Sequence, residues 1–535
     1  MKPALTLFLT LLLLGISAAH AQETANDDFL RSPRLGINHI SGVEEVTSPE
    51  RYQKALELGA GWNRWPLYWD RVETHAGTFD WSGYDRLVTD DLAQGLNINA
   101  ILLGRPAFYT SGERITGLNE PIYADGSDTP AADKPLNPKN PWVSFVRAAV
   151  NRYRPGGELA AQQNWPDGKG IRVWEIWNEP DYKPFWSGGI GDYARLLKTA
   201  YLVIKSIDPD LQVMVGGLLY SDNDNWLARV LAIFEDDPFR EDHNWYMDMV
   251  AVHNYSYPWR NGWLVNVVDQ TLIAYKLKRP IWLNESGVPV WDDYPGPLWA
   301  KTPEEKMLHA TRQQQAYFFI QSAAYAFAEG AQTIFFHQLY DDCGNQPGGT
   351  DFEYHTTPTC KEAICSGDAY GLFRNESTAV CFSHHPQPGT ARPAARAYEL
   401  VAKLFGQGEL DKPSVKLIQN HATLITFDRP AEKQRLYLVW NATLDTVTLR
   451  LPLGKNAVTV YSLEDTQTLM PDKKGVLELE LPGAQCDYFP FLQDIDVTGV
   501  GGTPYIIVAE LPQTEPKDPP RLLDPIKTPR TRCGK

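Results

Sequence analysis

The chain has 535 residues, 43% of them hydrophobic and 22% charged, and carries a formal net charge of −16. Such a length holds one large domain and a smaller partner, and such a composition belongs to a soluble globular protein. The negative balance excludes partners recognised through a positive field, so neither nucleic acid nor an anionic membrane surface is expected.

Met1 and Lys2 lead into an apolar run from Leu5 to Leu14, and Ala19-His20-Ala21 offers an A-x-A cleavage site. The run is too short to span a bilayer, so residues 1–21 are predicted to be a cleaved signal peptide with no membrane anchor. The mature protein is then secreted or periplasmic.

From about residue 34, short apolar runs alternate with longer amphipathic stretches. The runs 34–40, 60–66, 98–104, 171–177, 211–217, 248–254, 280–285 and 332–338 are predicted strands. One helix is predicted to open at Ser48-Pro49, an N-cap followed by proline at the first helical position. Another opens with the capping box Thr302-Pro303-Glu304-Glu305 and runs to Gly330; a last one covers 391–405. Eight strand–helix units with continuous apolar strands point to a (β/α)8 TIM barrel over residues 22–407. A doubly wound open sheet is the competing architecture, but no glycine-rich phosphate loop follows any of these strands.

Beyond residue 408 the period changes to that of strands, at 422–428, 435–441, 457–462, 476–481 and 505–510. This predicts a small antiparallel, β-sandwich-like domain over 408–511, followed by a proline-rich tail over 512–535. Cys343, Cys360, Cys365 and Cys381 crowd one loop-like stretch, while Cys486 and Cys533 lie near the end. An even count in an exported chain suggests up to three disulfides, and a Cys486–Cys533 bridge would staple the tail to the β domain. Zinc is the alternative reading, but no Cys-x2-Cys pair occurs.

In such a barrel, catalytic groups sit at the C-terminal ends of strands. Glu179 follows the fourth strand in the stretch Trp174 to Asp181, and Glu285 ends the seventh in the stretch Ile281 to Gly287. The fourth and seventh strands face each other across the mouth, so two carboxylates can converge on one bound group. Glycosidic cleavage needs such a pair, one protonated to release the leaving oxygen and one ionised to attack the anomeric carbon. Trp177, Asn178 and Pro180 would set Glu179 on a partly apolar wall that favours its protonated form.

The Trp177-Asn178-Glu179-Pro180 and Asn284-Glu285-Ser286-Gly287 motifs resemble those of the clan A glycoside hydrolases, retaining enzymes on (β/α)8 barrels. Within the clan, the opening through Phe79-Asp80-Trp81 and the trailing β domain look most like glycoside hydrolase family 39. The resemblance covers roughly residues 34–405. It implies Glu179 as acid/base, Glu285 as nucleophile, Arg64 as a holder of the nucleophile and Tyr255 as its hydrogen-bond donor, with His253 beside it. It also implies that Asn178 contacts a sugar hydroxyl.

Many clan members end the eighth strand with a sugar-stacking tryptophan. Here that stretch reads Phe335-Phe336-His337-Gln338, so His337 or Gln338 is expected to line the site instead. Trp69, Trp186, Trp259 and Trp291 lie in or beside βα loops and are further stacking candidates. Glu175, nearer the start of its strand, is expected to be structural. His253 and His337, with Asp341 nearby, lack metal-ligand spacing and are expected to be wall residues.

The predicted function is therefore hydrolysis of a β-glycosidic bond with retention, on a carbohydrate substrate and with no metal or cofactor. The resemblance implies a β-xyloside, uronic-acid or exopolysaccharide substrate. With no basic cluster to hold a uronate, a neutral sugar is favoured. A non-catalytic polysaccharide-binding protein and a transglycosylase are the alternatives. Four Asn-x-Ser/Thr sequons occur: Asn254 and Asn284 fall at the proposed site, and Asn375 and Asn441 are the freer glycosylation candidates.

Overall fold

The computed structural model describes residues 31–535 except 43–47, 112–113, 116–119, 167, 222–223, 295, 297–299, 342–368, 379–384, 489, 491–497, 517, 524–532 and 534–535. The predicted signal peptide and the four cysteines Cys343, Cys360, Cys365 and Cys381 lie outside the described residues.

Eight parallel strands close into a barrel: β1 (Leu35–Asn38), β2 (Trp62–Tyr68), β3 (Asn97–Leu103), β4 (Val173–Ile176), β5 (Gln212–Leu218), β6 (Met249–Asn254), β7 (Ile281–Ser286) and β8 (Thr333–Phe336). Each pairs with its sequence neighbours, and β1 pairs with both β2 and β8. The covering helices are α1 (Pro49–Glu57), α2 (Ser82–Ala93), α3 (Pro141–Tyr153), α4 (Ile190–Ile207), α5 (Trp226–Glu235), α6 (Pro258–Ala274), α7 (Arg312–Ala328) and α8 (Pro393–Phe405). Among the described residues, no helix is long and apolar enough to cross a membrane.

Helix starts follow local chemistry. Ser48 caps α1 by accepting from Arg51 N, and proline takes an early position in α1, α3, α6 and α8, where no intrahelical N–H is needed. One expected start is corrected. Thr302 and Glu305 do exchange capping hydrogen bonds, but they close only a turn, and α7 begins at Arg312 behind a second box formed by Thr311 and Gln314. Between the two boxes, Ala310 bridges Val290 as extended chain, which forbids one continuous helix.

The barrel interior changes character along its axis. At one level Val173, Met214, Met249, Ala251, Trp282 and Phe335 fill it with apolar groups. Gly36 is needed there, because a Cβ would lie 2.3 Å from the Phe335 ring. Toward the C-terminal mouth, Asn38, Arg64, Asn99, Glu175, His253 and Asn284 form a buried polar layer.

The second domain packs a six-stranded antiparallel sheet against a three-stranded one. Its strands are β9 (Asp411–Ile418), β10 (Ala422–Arg429), β11 (Gln434–Asn441), β12 (Val447–Pro452), β13 (Val458–Tyr461), β14 (Thr466–Leu469), β15 (Val476–Leu481), β16 (Tyr505–Glu510) and β17 (Arg521–Leu522). The central strands β10 and β11 of the larger sheet are buried on both faces, whereas β9 and β14 are largely exposed. Leu424, Val439 and Ile507 pack into the sandwich, whereas Ile425, Phe427, Leu438, Trp440 and Ile506 join the barrel's own core. That explains why β10 and β11 read as nearly continuous apolar runs. The tail contributes β17, which pairs with β12, and Cys533 is bridged to Cys486.

The two freer sequons are corrected here. Asn375 and Asn441 are both buried, and the Asn441 side-chain nitrogen donates to Asp445 O and Leu481 O. Neither amide is presented for modification.

Candidate active site

The mouth of the barrel gathers most of the predicted residues into one network. Arg64, from the middle of β2, is its hub. Nε and Nη2 fork onto the two oxygens of Glu175 at 2.8 and 2.9 Å, Nη1 donates to Glu285 Oε1 at 2.7 Å, and Nη2 also donates to Asn178 Oδ1 at 2.9 Å. The planar guanidinium suits this work, because its five donors lie in fixed directions.

Glu285 sits in β7, directly paired with His253 in β6 just past a register shift. Its other oxygen, Oε2, accepts from the Tyr255 hydroxyl at 2.7 Å and lies 3.0 Å from His253 Nδ1. The same Nδ1 is 2.7 Å from Glu179 Oε1. His253 therefore stands between the two carboxyl groups, whose nearest oxygens are within 4.8 Å of each other. Its far nitrogen, Nε2, is 3.0 Å from Asn284 Oδ1. Asn284 turns its amide nitrogen toward Glu175 Oε2 at 2.8 Å, which makes that Oδ1 an acceptor. Both ring nitrogens of His253 thus donate, as an imidazolium does.

The protonation states follow from these contacts. Burial opposes charge on His253, but Glu285 and Glu179 outweigh it and hold its pKa up to about 10. Burial likewise opposes ionisation of Glu285, yet the cations of His253 and Arg64 press its pKa well below the usual carboxylate range. For Glu179 burial wins: the pKa is raised, and His253 offsets that only in part. Arg64 is held above its ordinary value because Glu175 and Glu285 overcome the cost of its burial. Arg64 and His253 then face Glu175 and Glu285, while the third carboxyl, Glu179, has its pKa raised. Buried charge is tolerated when it is paired in this way.

Local backbone geometry delivers Glu179. Trp177 and Glu179 both have left-handed φ, at 68° and 47°, so the chain turns sharply past the end of β4. Asp181 ties this turn to the end of β5, accepting from Leu219 N at 3.1 Å and Tyr220 N at 2.7 Å. Glycine at 217 is what admits His253, since a Cβ there would lie 1.9 Å from Nε2.

The other predicted residues separate into groups. Trp177 packs edge-on against Trp186 with its Nε1 donating to Phe185 O, so it forms wall rather than platform. Trp69 and Trp186 are buried in packing and cannot stack on a sugar, which corrects that expectation. Trp69 lies flat on Phe145 and donates to Glu73. Trp291 is committed to the second domain through Asp487 O and carries Lys306 over its ring. Trp259 is 49% exposed and stacks on Tyr257. His337 meets the rings of Tyr255 and Tyr370 edge-on at 5.7 and 5.0 Å, and burial lowers its pKa to about 3, so it is neutral. Gln338 is buried, and its carbonyl accepts from Leu372 N. Asp341 is not part of this cluster, being forked by Arg392 at 2.6 and 2.8 Å.

Three participants lacked a distinct reading in the sequence. Glu175, expected to be only structural, is the anion that orients Arg64. Asn284 and Asn99 share the polar layer, with Asn284 Nδ2 3.2 Å from Asn99 Oδ1. The available signal was a polar residue at an inward position of an otherwise apolar strand, as in the run Asn97 to Leu103.

Removing the hub should be costly. Arg64→Met would leave Glu175, which is fully buried, without its cation and Glu285 with His253 alone, and is expected to destabilise the fold by roughly 3–5 kcal/mol. Urea unfolding midpoints would show it; a shift equivalent to less than about 1 kcal/mol would mean that the ion network is not what holds this layer together.

No protein-family model matches the chain. Solved structures do resemble it. A glucosidase from Croceicoccus marinus matches with a TM-score of 0.51 at 13% identity, over 91% of this chain and 98% of that one. A GH39 β-xylosidase from Caulobacter crescentus matches at 0.51 and 15%, over 91% and 97%. A family 51 α-L-arabinofuranosidase from Bifidobacterium longum matches at 0.52 and 12%, over 90% and 97%. At these identities the likeness is one of fold: a (β/α)8 barrel carrying a β domain.

Proposed function

We propose that the chain is a retaining glycoside hydrolase of clan A, most like family 39, and that it works by double displacement at Glu179 and Glu285. The observation that carries this reading is the opposite setting of two carboxyl groups within 4.8 Å of each other, one with its pKa raised and one with its pKa pressed well down. Retaining enzymes hold their pair about 5–5.5 Å apart, and inverting ones leave about 6.5–9.5 Å for a water. The fold shared with glycosidases of several families supports the same reading.

In the first step the ionised Glu285 attacks the anomeric carbon as the bond to the leaving oxygen breaks, and Glu179 gives its proton to that oxygen. A glycosyl ester on Glu285 and a free alcohol result. In the second step Glu179, now ionised, takes a proton from water, whose oxygen displaces Glu285 and returns the sugar with its original configuration. Arg64 and Tyr255 each hold one oxygen of Glu285 and so aim the attack. Asn178 offers its oxygen to Arg64, which directs its amide nitrogen away from the guanidinium as a donor for a sugar hydroxyl. The Cys486–Cys533 bridge suits an oxidising compartment outside the cytoplasm.

The test is intact mass after incubation with activated 2-deoxy-2-fluoro glycosides of several sugars, followed by peptide mapping. These reagents form the glycosyl-enzyme normally and release it slowly. One adduct, on Glu285, is expected, and the sugar that labels fastest names the glycone. An adduct on another residue would overturn the assignment. Folded protein that never labels while binding polysaccharide would favour a binding protein.

A further inference from the structure

In the connection between β15 and β16, the described residues 482–488 and 498–504 touch the barrel. The connection docks on α7, where Gln321 exchanges hydrogen bonds with Gly501 N at 3.0 Å and Gly502 O at 3.1 Å, and Tyr317 meets Thr503 at 2.8 Å. Other contacts of the connection lie nearer the catalytic mouth. Gln314 Nε2 donates to Gln485 O at 3.3 Å, and Trp291 Nε1 to Asp487 O at 3.0 Å. The Tyr488 hydroxyl donates to Ser256 O at 3.0 Å, with Tyr255 O at 3.3 Å. Tyr488 is fully buried, and its ring needs glycine at 499, where a Cβ would come within 2.4 Å of it. Cys486, bridged to Cys533, anchors the same short stretch.

These contacts bear on Tyr255, the first residue beyond β6. The β6–β7 register ends at Asn254 and Ser286, and the turn beyond it is braced by Asn254, which accepts from Ser256 N and donates to Tyr257 O. The carbonyls of Tyr255 and Ser256 face Tyr488 instead. We propose that Tyr488, supplied by the second domain, is a positioning residue that fixes Tyr255 and through it the carboxylate of Glu285. The inference rests on the double-displacement reading above. It makes the second domain part of the catalytic apparatus: the phenol of Tyr488 holds the carbonyls, the carbonyls hold the Tyr255 ring, and the Tyr255 hydroxyl holds Oε2 of Glu285 at 2.7 Å. A hydrogen bond to an ionised group weakens steeply as its geometry loosens, so a small tilt of Tyr255 reaches the nucleophile.

Tyr488→Phe removes only the hydroxyl and keeps the ring in its seat. With the activated glycoside that labels the wild-type chain, the rate of glycosyl-enzyme formation is expected to fall roughly tenfold with KM little changed. Tyr255→Phe should fall at least as far. The double variant should be no slower than Tyr255→Phe alone, because Tyr488 then has nothing left to position. A merely structural role predicts that the two factors multiply. Multiplying factors, or a Tyr488→Phe protein at the wild-type rate, would overturn the proposal. Failure of the underlying mechanism is seen separately, as a wild-type chain that forms no adduct on Glu285.

Discussion

Glu285→Gln is expected to lower turnover by at least about 10⁴-fold while the barrel stays folded. Glutamine matches glutamate in shape, and its one carbonyl oxygen can still accept from Arg64, while its amide nitrogen, in the place of Oε2, can donate to the Tyr255 hydroxyl oxygen. What it lacks is the charge that attacks carbon. The substitution also leaves Arg64 and His253 facing a single buried anion, Glu175. The pKa of His253, held at about 10 chiefly by Glu285, should therefore drop. That change would appear as a displaced imidazole titration by NMR in a protein with wild-type circular dichroism. Near-normal turnover in this variant would sink the assignment of the nucleophile, whatever the fold.

Glu179→Ala should show a different pattern, and the difference identifies its role. Glycosides with poor leaving groups need the proton, and their kcat/KM is expected to fall by about 10³-fold. Glycosides whose leaving group departs without protonation should still label Glu285 rapidly. Their second step then stalls, since no base activates water, and added azide should restart it by attacking without a base. The pH profile should change as well. With the Glu179 pKa raised and that of Glu285 depressed, kcat/KM of the wild type falls as pH rises through the first and as pH drops through the second. His253, charged up to about pH 10, does not set the upper limb. Glu179→Ala should lose that limb; if it persists unchanged, another group is the acid.

Much of this was legible in the chain itself. Strand–helix alternation announced the barrel, because each βα unit must bury one apolar strand under one amphipathic helix, and that need is local. The two glutamates were legible because each follows or closes such a strand. Legibility ended where two local signals competed. Thr302 and Thr311 each carry a capping box, and only the bridge between Ala310 and Val290 decides which one starts α7. It ended also where a side chain has more than one use. Trp69 and Trp186 lie near the mouth in sequence, but packing consumes them, and Asn441 carries a sequon whose amide is spent on two carbonyls.

The sequence by itself therefore determined the architecture, the order of its units and the pair of carboxyl groups, since periodicity, caps and strand-end motifs act over tens of residues at most. Only the tertiary structure decided how the settings of the two carboxyl groups differ, what holds Glu285, and that the second domain reaches the turn beside it. Those properties depend on desolvation and on charges at close range. Arg64 and Glu285 are 221 positions apart in the chain and 2.7 Å apart in the fold, and Tyr488 meets Ser256 across 232 positions. Electrostatic energy falls with distance in space and is indifferent to separation along the chain, so no local pattern could carry it.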